Sequence, residues 1–309
     1  MLVMSGDQIY ADDVAGPMLR AIHSVIETLG LQSEGLSGME VDALQDECDL
    51  YRHKDCYYRR MHILPNMEGN RALLDTLFEG ARRPIFTTDT AQNHLITLHE
   101  HLIMYLMVWS PIPWQLASMA MPANMSEREQ TLYQKERRVI EGFVVRLSQV
   151  RRLLAHIPVA MIFDDHDITD DWNLNRQREE VVYNHPFSRR IIGNGLIAYF
   201  LCQGWGNNPD GFSAEMMEQL SAAIESPGQQ PHAAFVEEML TFQGWEYDWK
   251  TSPPLIVIDS RTRRWRSESS MIKPSGLLDW EALTDLQPKL YHNDSVLLVS
   301  PAPIYGVLN

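Results

Sequence analysis

The apolar run Ile157 to Ile162 leads straight into Phe163-Asp164-Asp165-His166-Asp167-Ile168-Thr169-Asp170-Asp171-Trp172, five carboxylates and one imidazole at the end of a segment of buried-strand type. No other stretch constrains the fold as strongly, because a strand ending this way must deliver its charges to a place that neutralises them. Carboxylates this close repel one another, and those turned inward must be protonated, hydrogen-bonded or matched by a cation. A solvated loop would tolerate the acids, since acidic runs usually face water, but it does not account for the apolar strand. A metal site is the leading expectation. An EF-hand is excluded: counted from Asp165, the sixth position is Asp170 where a Gly is needed, and the twelfth is Arg176 where a Glu is needed.

A second polar knot has the same construction. Leu2-Val3-Met4 runs into Ser5-Gly6-Asp7-Gln8-Ile9-Tyr10-Ala11-Asp12-Asp13, so a short strand ends at a Gly that permits a sharp turn and an Asp follows at once. Tyr10 returns a phenol oxygen to the same place if the turn runs into a helix. Strand-like runs at Leu2 to Met4, Ile157 to Phe163, Leu255 to Ile258 and Val296 to Val299 all close on polar residues; the last two deliver Asp259-Ser260-Arg261 and Ser300-Pro301-Ala302-Pro303. In α/β sheets ligands gather outside the carboxyl ends of strands, so the four ends are expected to share one site. Helical patterns fill the spaces: Asp13 to Leu29, Asn93 to Trp109, Pro186 to Leu201, Ser213 to Glu225 and Leu278 to Leu286. A long helix from Ser126-Glu127-Arg128-Glu129 to about His156 carries Val139, Phe143, Val144, Leu147, Val150 and Leu154 on one face, which is expected to be buried. The fold class is α/β, with layered sheets and helices outside.

With 309 residues, 45% of them hydrophobic, the chain can bury a sizeable core, and residues 1–309 are read as a single domain with a peripheral insertion at 203–244. A net charge of −15 excludes a general nucleic-acid binder, since phosphate backbones are held by clustered Lys and Arg. A small phosphorylated substrate stays compatible because a bound metal reverses the local potential. Cys48, Cys56 and Cys202 form neither a disulfide framework nor a CxxC pair. Together with the lack of a signal-peptide pattern, this fits a cytoplasmic setting. The apolar stretch Leu95 to Trp109 is too short to span a bilayer and reads as a buried helix.

Taken together, the two knots resemble the PhoD-like (alkaline phosphatase D) branch of the calcineurin-type metallophosphatases. Gly6-Asp7-Gln8-Ile9-Tyr10-Ala11-Asp12 is similar to that branch's Gly-Asp-x-x-Tyr-Ala-Asp segment, and Asp164-Asp165-His166-Asp167 to its Asp-Asp-His-Glu segment. Ile258-Asp259-Ser260-Arg261 and Leu298 to Pro303 are weaker echoes. The resemblance implies a two-sheet sandwich flanked by helices that hydrolyses phosphate mono- or diesters through a dinuclear metal site, iron with calcium, manganese or zinc. It further implies that Asp7 bridges the two metals, that Asp165 is a ligand, that Tyr10 ligates iron, and that His166 stands beside the reacting phosphate. Arg261 is a looser assignment as phosphate clamp. The family's Asp-x-His motif upstream and its Gly-His-x-His or Gly-Asp-x-His motif downstream are missing. The expectation is a domain incomplete at both ends, or a shortened relative that is a catalytically silent binding module.

Each assignment has a plainer competitor. Asp7, Asp12 or Asp13 would serve as a helix cap, and Tyr10 as a packed aromatic. Arg261 would pair with Asp259 or belong to the basic surface run Arg261, Arg263, Arg264, Arg266. Trp172 reads as a buried structural residue. His99 and His101, two apart on a helix, point to different faces and do not form a ligand pair.

Overall fold

The computed structural model describes residues 1–41, 44–65, 86 and 91–304. In chain order the main elements are β1 (Leu2–Ser5), α1 (Gly16–Leu29), α2 (Glu47–Arg52), α3 (Leu98–Trp109), α4 (Glu127–Val144), α5 (Leu147–Leu154), β2 (Val159–Ile162), α6 (Arg176–Tyr183), α7 (Pro186–Tyr199), α8 (Ala214–Glu225), α9 (Gln230–Thr241), β3 (Tyr247–Trp249), β4 (Leu255–Val257), α10 (Trp280–Tyr291) and β5 (Leu297–Val299). The fold is mixed α/β. β1 and β2 form a parallel pair with Leu2 opposite Val159 and Ser5 opposite Ile162. A second sheet has the order β3-β4-β5, with β3 antiparallel and β5 parallel to β4.

All four runs expected as strands are strands: the first extends by one residue to Ser5, the second is trimmed at both ends, the third ends one residue early at Val257 and the fourth begins one residue late at Leu297. β3 went unread, because its three residues Tyr247-Asp248-Trp249 are too few to set up an alternating pattern. Both sheets contribute to one core: Ala160 and Ile162 from β2 and Leu255 and Val257 from β4 pack with Phe163, Trp172 and Trp245. α7 adds Phe187, Ile191 and Ile192. Helices α8 and α9, within the segment expected as a peripheral insertion, add Leu220, Phe235, Val236 and Met239 to that same core.

The expected long helix after Ser126 begins on a complete capping box, with Glu129 N–H bonded to the Ser126 hydroxyl and the Glu129 carboxylate returning to Ser126 N–H. It is two helices, however, broken between Val144 and Leu147. The face expected to be buried is largely open, with Val139 66% and Phe143 37% exposed and, of its six residues, only Leu147 fully covered. A different face is anchored instead. Tyr133 is buried beside Tyr58 and Met125, and the Glu136 carboxylate accepts from Tyr58 Oη at 2.6 Å and from Gly16 N–H at 2.9 Å.

A buried polar network with no counterpart in the sequence reading holds α3 in place. The Glu100 carboxylate accepts from Arg60 Nη2 at 2.6 Å and Nη1 at 2.9 Å, and His23 Nε2 lies 2.7 Å from it. Glu47 lies 2.9 Å from His99 Nδ1, while Glu34 accepts from Leu98 N–H at 2.7 Å and from Arg190 at 3.2 Å. Buried charges persist only when paired and hydrogen-bonded, and here each carboxylate has a cationic or imidazole partner. His101 turns the other way and bonds to the Thr97 carbonyl at 2.8 Å, so the two histidines do address different surroundings. Among the described residues no helix is long and apolar enough to cross a membrane.

Candidate metal centre

Because β1 and β2 run parallel, Gly6-Asp7 and Asp164 to Asp167 leave the same edge of the sheet. Gly6 has a φ of +117°, open to glycine at no cost, which lets the chain turn so that Asp7 faces the second loop. The Asp7 carboxylate accepts from His166 N–H at 3.2 Å. Asp7, Asp165 and His166 each offer a ligand atom, all within 4.8 Å of one another. Burial, with the charges of Asp164 and Asp165, pushes the Asp7 carboxyl up to about 6 against the opposing charge of His166. Acids crowded this way fit a cation placed among them. A second group, Asp165, Asp170 and Asp171, meets the same 4.8 Å condition and shares Asp165 with the first.

The residues between Asp7 and α1 do not run into a helix. α1 begins at Gly16-Pro17 after Ala15 and has no side-chain cap, so neither Asp12 nor Asp13 serves as one. Asp12 is fully buried and takes His166 Nδ1 on both carboxylate oxygens at 2.9 Å. That bond, reinforced by the Asp12, Asp165 and Asp7 charges, pushes the His166 imidazole up to about 9, so the ring is an imidazolium at neutral pH. Its Nε2 lies 3.9 Å from Asp170. Tyr10, 49% exposed, stacks on the His166 ring with centroids 4.6 Å apart. The Asp7 charge, followed by burial and a hydrogen bond to Asp7, raises the Tyr10 phenol. The phenol thus borders the acids, as the turn chemistry suggested, without the helix that was expected to carry it there.

β4 brings its end to the same place. Arg261 is buried, and its guanidinium bonds to Asp164 through Nε and to Asp165 through Nη2 at 3.0 Å, with Nη1 on the Trp172 carbonyl at 3.3 Å. Asp259 is not its side-chain partner: that carboxylate accepts the backbone N–H groups of Arg261 and Thr262. Asp165 is held from its other side by Asp171 N–H at 3.0 Å. Among the described residues the fourth strand end makes no bond to the group, and the Ser300 hydroxyl bonds locally to Ala302 O at 2.5 Å. Trp172 is buried, with its indole N–H on Tyr183 Oη at 3.1 Å.

Asp167 binds the two loops together. It is fully buried and accepts from Gln8 N–H at 3.2 Å, Ile9 N–H at 3.3 Å, Asp164 N–H at 3.2 Å and Tyr105 Oη at 3.0 Å. The sequence offered Asp12 only as a helix cap and gave Asp167 no role, although each ends one of the two motifs. Their position as the last residue of each acidic motif was the available signal. No protein-family model matches the chain, and neither does any curated protein or solved structure.

Proposed function

We propose that the chain is a metal-dependent phosphoesterase acting on phosphate mono- or diesters, with the two-sheet architecture of the PhoD-like metallophosphatases. The observation that carries this reading is the convergence of Asp7, Asp165 and His166 within 4.8 Å at the carboxyl edge of two parallel strands. Asp7 and Asp165, with Tyr10 at the rim, would hold a hard or borderline cation, iron with calcium, manganese or zinc, and His166 would stand beside it. Such an ion supplies charge neutralisation for the phosphate and a more acidic water. The chain's own groups divide the remaining work. Asp12 keeps His166 charged and oriented through Nδ1, which leaves Nε2–H free to donate to a phosphoryl or leaving-group oxygen. Arg261 and the Asp171 N–H orient Asp165, and Asp167 sets the spacing between the Asp7 and Asp165 loops.

The test is hydrolysis of p-nitrophenyl phosphate and bis(p-nitrophenyl) phosphate by protein loaded with manganese. Asp165→Asn and His166→Asn are each expected to lower turnover by about a hundredfold or more. Equal turnover in wild type and both variants, or none at all in metal-loaded wild type, rejects the enzyme. A second reading is a catalytically silent metallophosphatase-like binding module. It draws on the pairing of Asp164 and Asp165 with Arg261 and of Asp171 with Arg178, which balances several acids using the chain's own cations. A folded protein that takes up no manganese by calorimetry selects this second reading.

A further inference from the structure

A buried carboxylate outside the acidic cluster is bonded less completely than Glu34, Glu47 and Glu100. Glu179, on α6, keeps only 8% of its side-chain surface in water. Arg266 Nε covers its Oε2 as an ion pair, yet among the described residues no donor is aligned to hydrogen-bond that oxygen. Burial pushes the Glu179 carboxyl up, against the opposing charges of Arg266 and Arg264. The two partners stand in very different surroundings, since the Arg266 side chain is 62% exposed. A buried charge needs both a counter-charge and hydrogen bonds, and Glu179 Oε2 has the first without the second.

Glu179 and Arg266 line an open cavity of about 460 Å³ whose apolar wall includes Trp172, Tyr183, Leu196 and Phe242. That volume falls in the usual range of small-molecule pockets. The polar edges of two rings are bonded within the wall: the Trp172 indole N–H to Tyr183 Oη at 3.1 Å, and that hydroxyl to Asn173 Oδ1 at 3.3 Å. These rings therefore offer carbon surface to an occupant. The other charges at the cavity are already paired, Glu180 with Arg176 and Arg189 with Glu237. Asp7, Asp165 and His166 do not line it, so it is distinct from the candidate metal centre.

An anionic occupant drawn to Arg266 would leave Glu179 buried and uncompensated, which is strongly unfavourable. A cationic occupant takes the place of Arg266 at Glu179, and the released guanidinium moves into water from a side chain that is mostly there already. An N–H donor on that occupant also supplies the aligned bond that Oε2 lacks, and aromatic faces attract a cation. The chain's net charge of −15 draws cations and repels anions. We infer that this cavity binds a protonated organic amine with an aromatic body, its ammonium on Glu179 in place of Arg266 and its ring against the Trp172 and Phe242 wall. Such a site is independent of the phosphoesterase reading.

The experiment titrates 2-phenylethylammonium chloride into EDTA-treated protein at pH 8 by isothermal calorimetry, for wild type, Glu179→Gln, Arg266→Gln and Glu180→Gln. Phenylacetate, of similar shape and opposite charge, is titrated into wild type. Wild type is expected to bind the amine, and Glu179→Gln to weaken that binding by about tenfold or more, the loss of one charge-assisted contact. Arg266→Gln should tighten it by roughly threefold, because the competitor for Glu179 is gone and an exposed ion pair is worth about that much. Glu180→Gln should stay near wild type, since Glu180 is half-exposed and paired with Arg176. Because Arg266 is exposed, its variant keeps the test decisive even if Glu179→Gln does not fold. An amine affinity in folded Glu179→Gln within about twofold of wild type overturns the assignment. So does weaker binding in Arg266→Gln, or phenylacetate held more tightly than the amine, either of which places an anion on Arg266. Absence of binding in both wild type and Arg266→Gln at millimolar amine also overturns it.

Discussion

Replacing Asp12 by Asn removes a charge from the pair that governs His166 while conserving shape. The imidazole is held at about 9, against about 6.5 when unfolded, and its hydrogen bond to the Asp12 carboxylate is the largest cause. A group whose pKa is raised on folding adds stability that is complete below its unfolded pKa and lost as pH climbs through the folded one. The window here therefore runs from pH 6.5 to 9. The whole shift corresponds to about 3 kcal/mol. The ring keeps a quarter of its surface in water, so screening reduces the usable part to roughly half, about 1.5 kcal/mol. Asp7 and Asp165 also raise the ring, so Asp12→Asn should lower its pKa by roughly one to two units and not return it fully to 6.5. Urea unfolding of EDTA-treated protein at pH 6, 8 and 10, with the His166 ring followed by NMR, measures both quantities. The wild-type advantage over Asp12→Asn should be largest at pH 6, smaller at pH 8 and close to zero at pH 10. An advantage that stays flat across that range, or a His166 pKa unmoved by Asp12→Asn, refutes the coupling.

Arg60→Ala should destabilise the fold by about 3–5 kcal/mol, because the fully buried Glu100 would lose both of its guanidinium bonds; a denaturant midpoint within error of wild type would contradict that. The His99 imidazole is raised above its ordinary value because Glu47 accepts its proton in a bond strong enough to outweigh burial. Its contribution should accordingly be present at low pH and fade as pH rises above the unfolded value near 6.5. Glu47→Gln should abolish that pH dependence in urea titrations, and an unchanged slope against pH would show that the pair is not responsible.

Short-range chemistry made part of this molecule readable from the chain. The runs Leu2 to Met4 and Ile157 to Phe163 announce strands, Gly6 announces the turn, and Ser126 with Glu129 announces a helix start; each of these is settled within a few residues by backbone sterics and local hydrogen bonds. The grouping of Asp7 with Asp165 and His166 was also legible, since two strands ending in acids need a common neutralising place. Tertiary structure alone decided who neutralises whom. Asp12 looked like a helix cap until the loop was seen to carry it under His166, and Arg261 looked like a phosphate clamp or a partner of Asp259 until β4 was seen to lay its guanidinium on Asp164 and Asp165. Partners separated by 154 or 97 positions leave no local trace in either segment. The open face of α4 and the buried network of Glu34, Glu47 and Glu100 belong to the same class. Helical periodicity states that one face is apolar and propensity states that a Glu suits a helix, but burial depends on which neighbour packs there, and that neighbour is chosen by the whole chain.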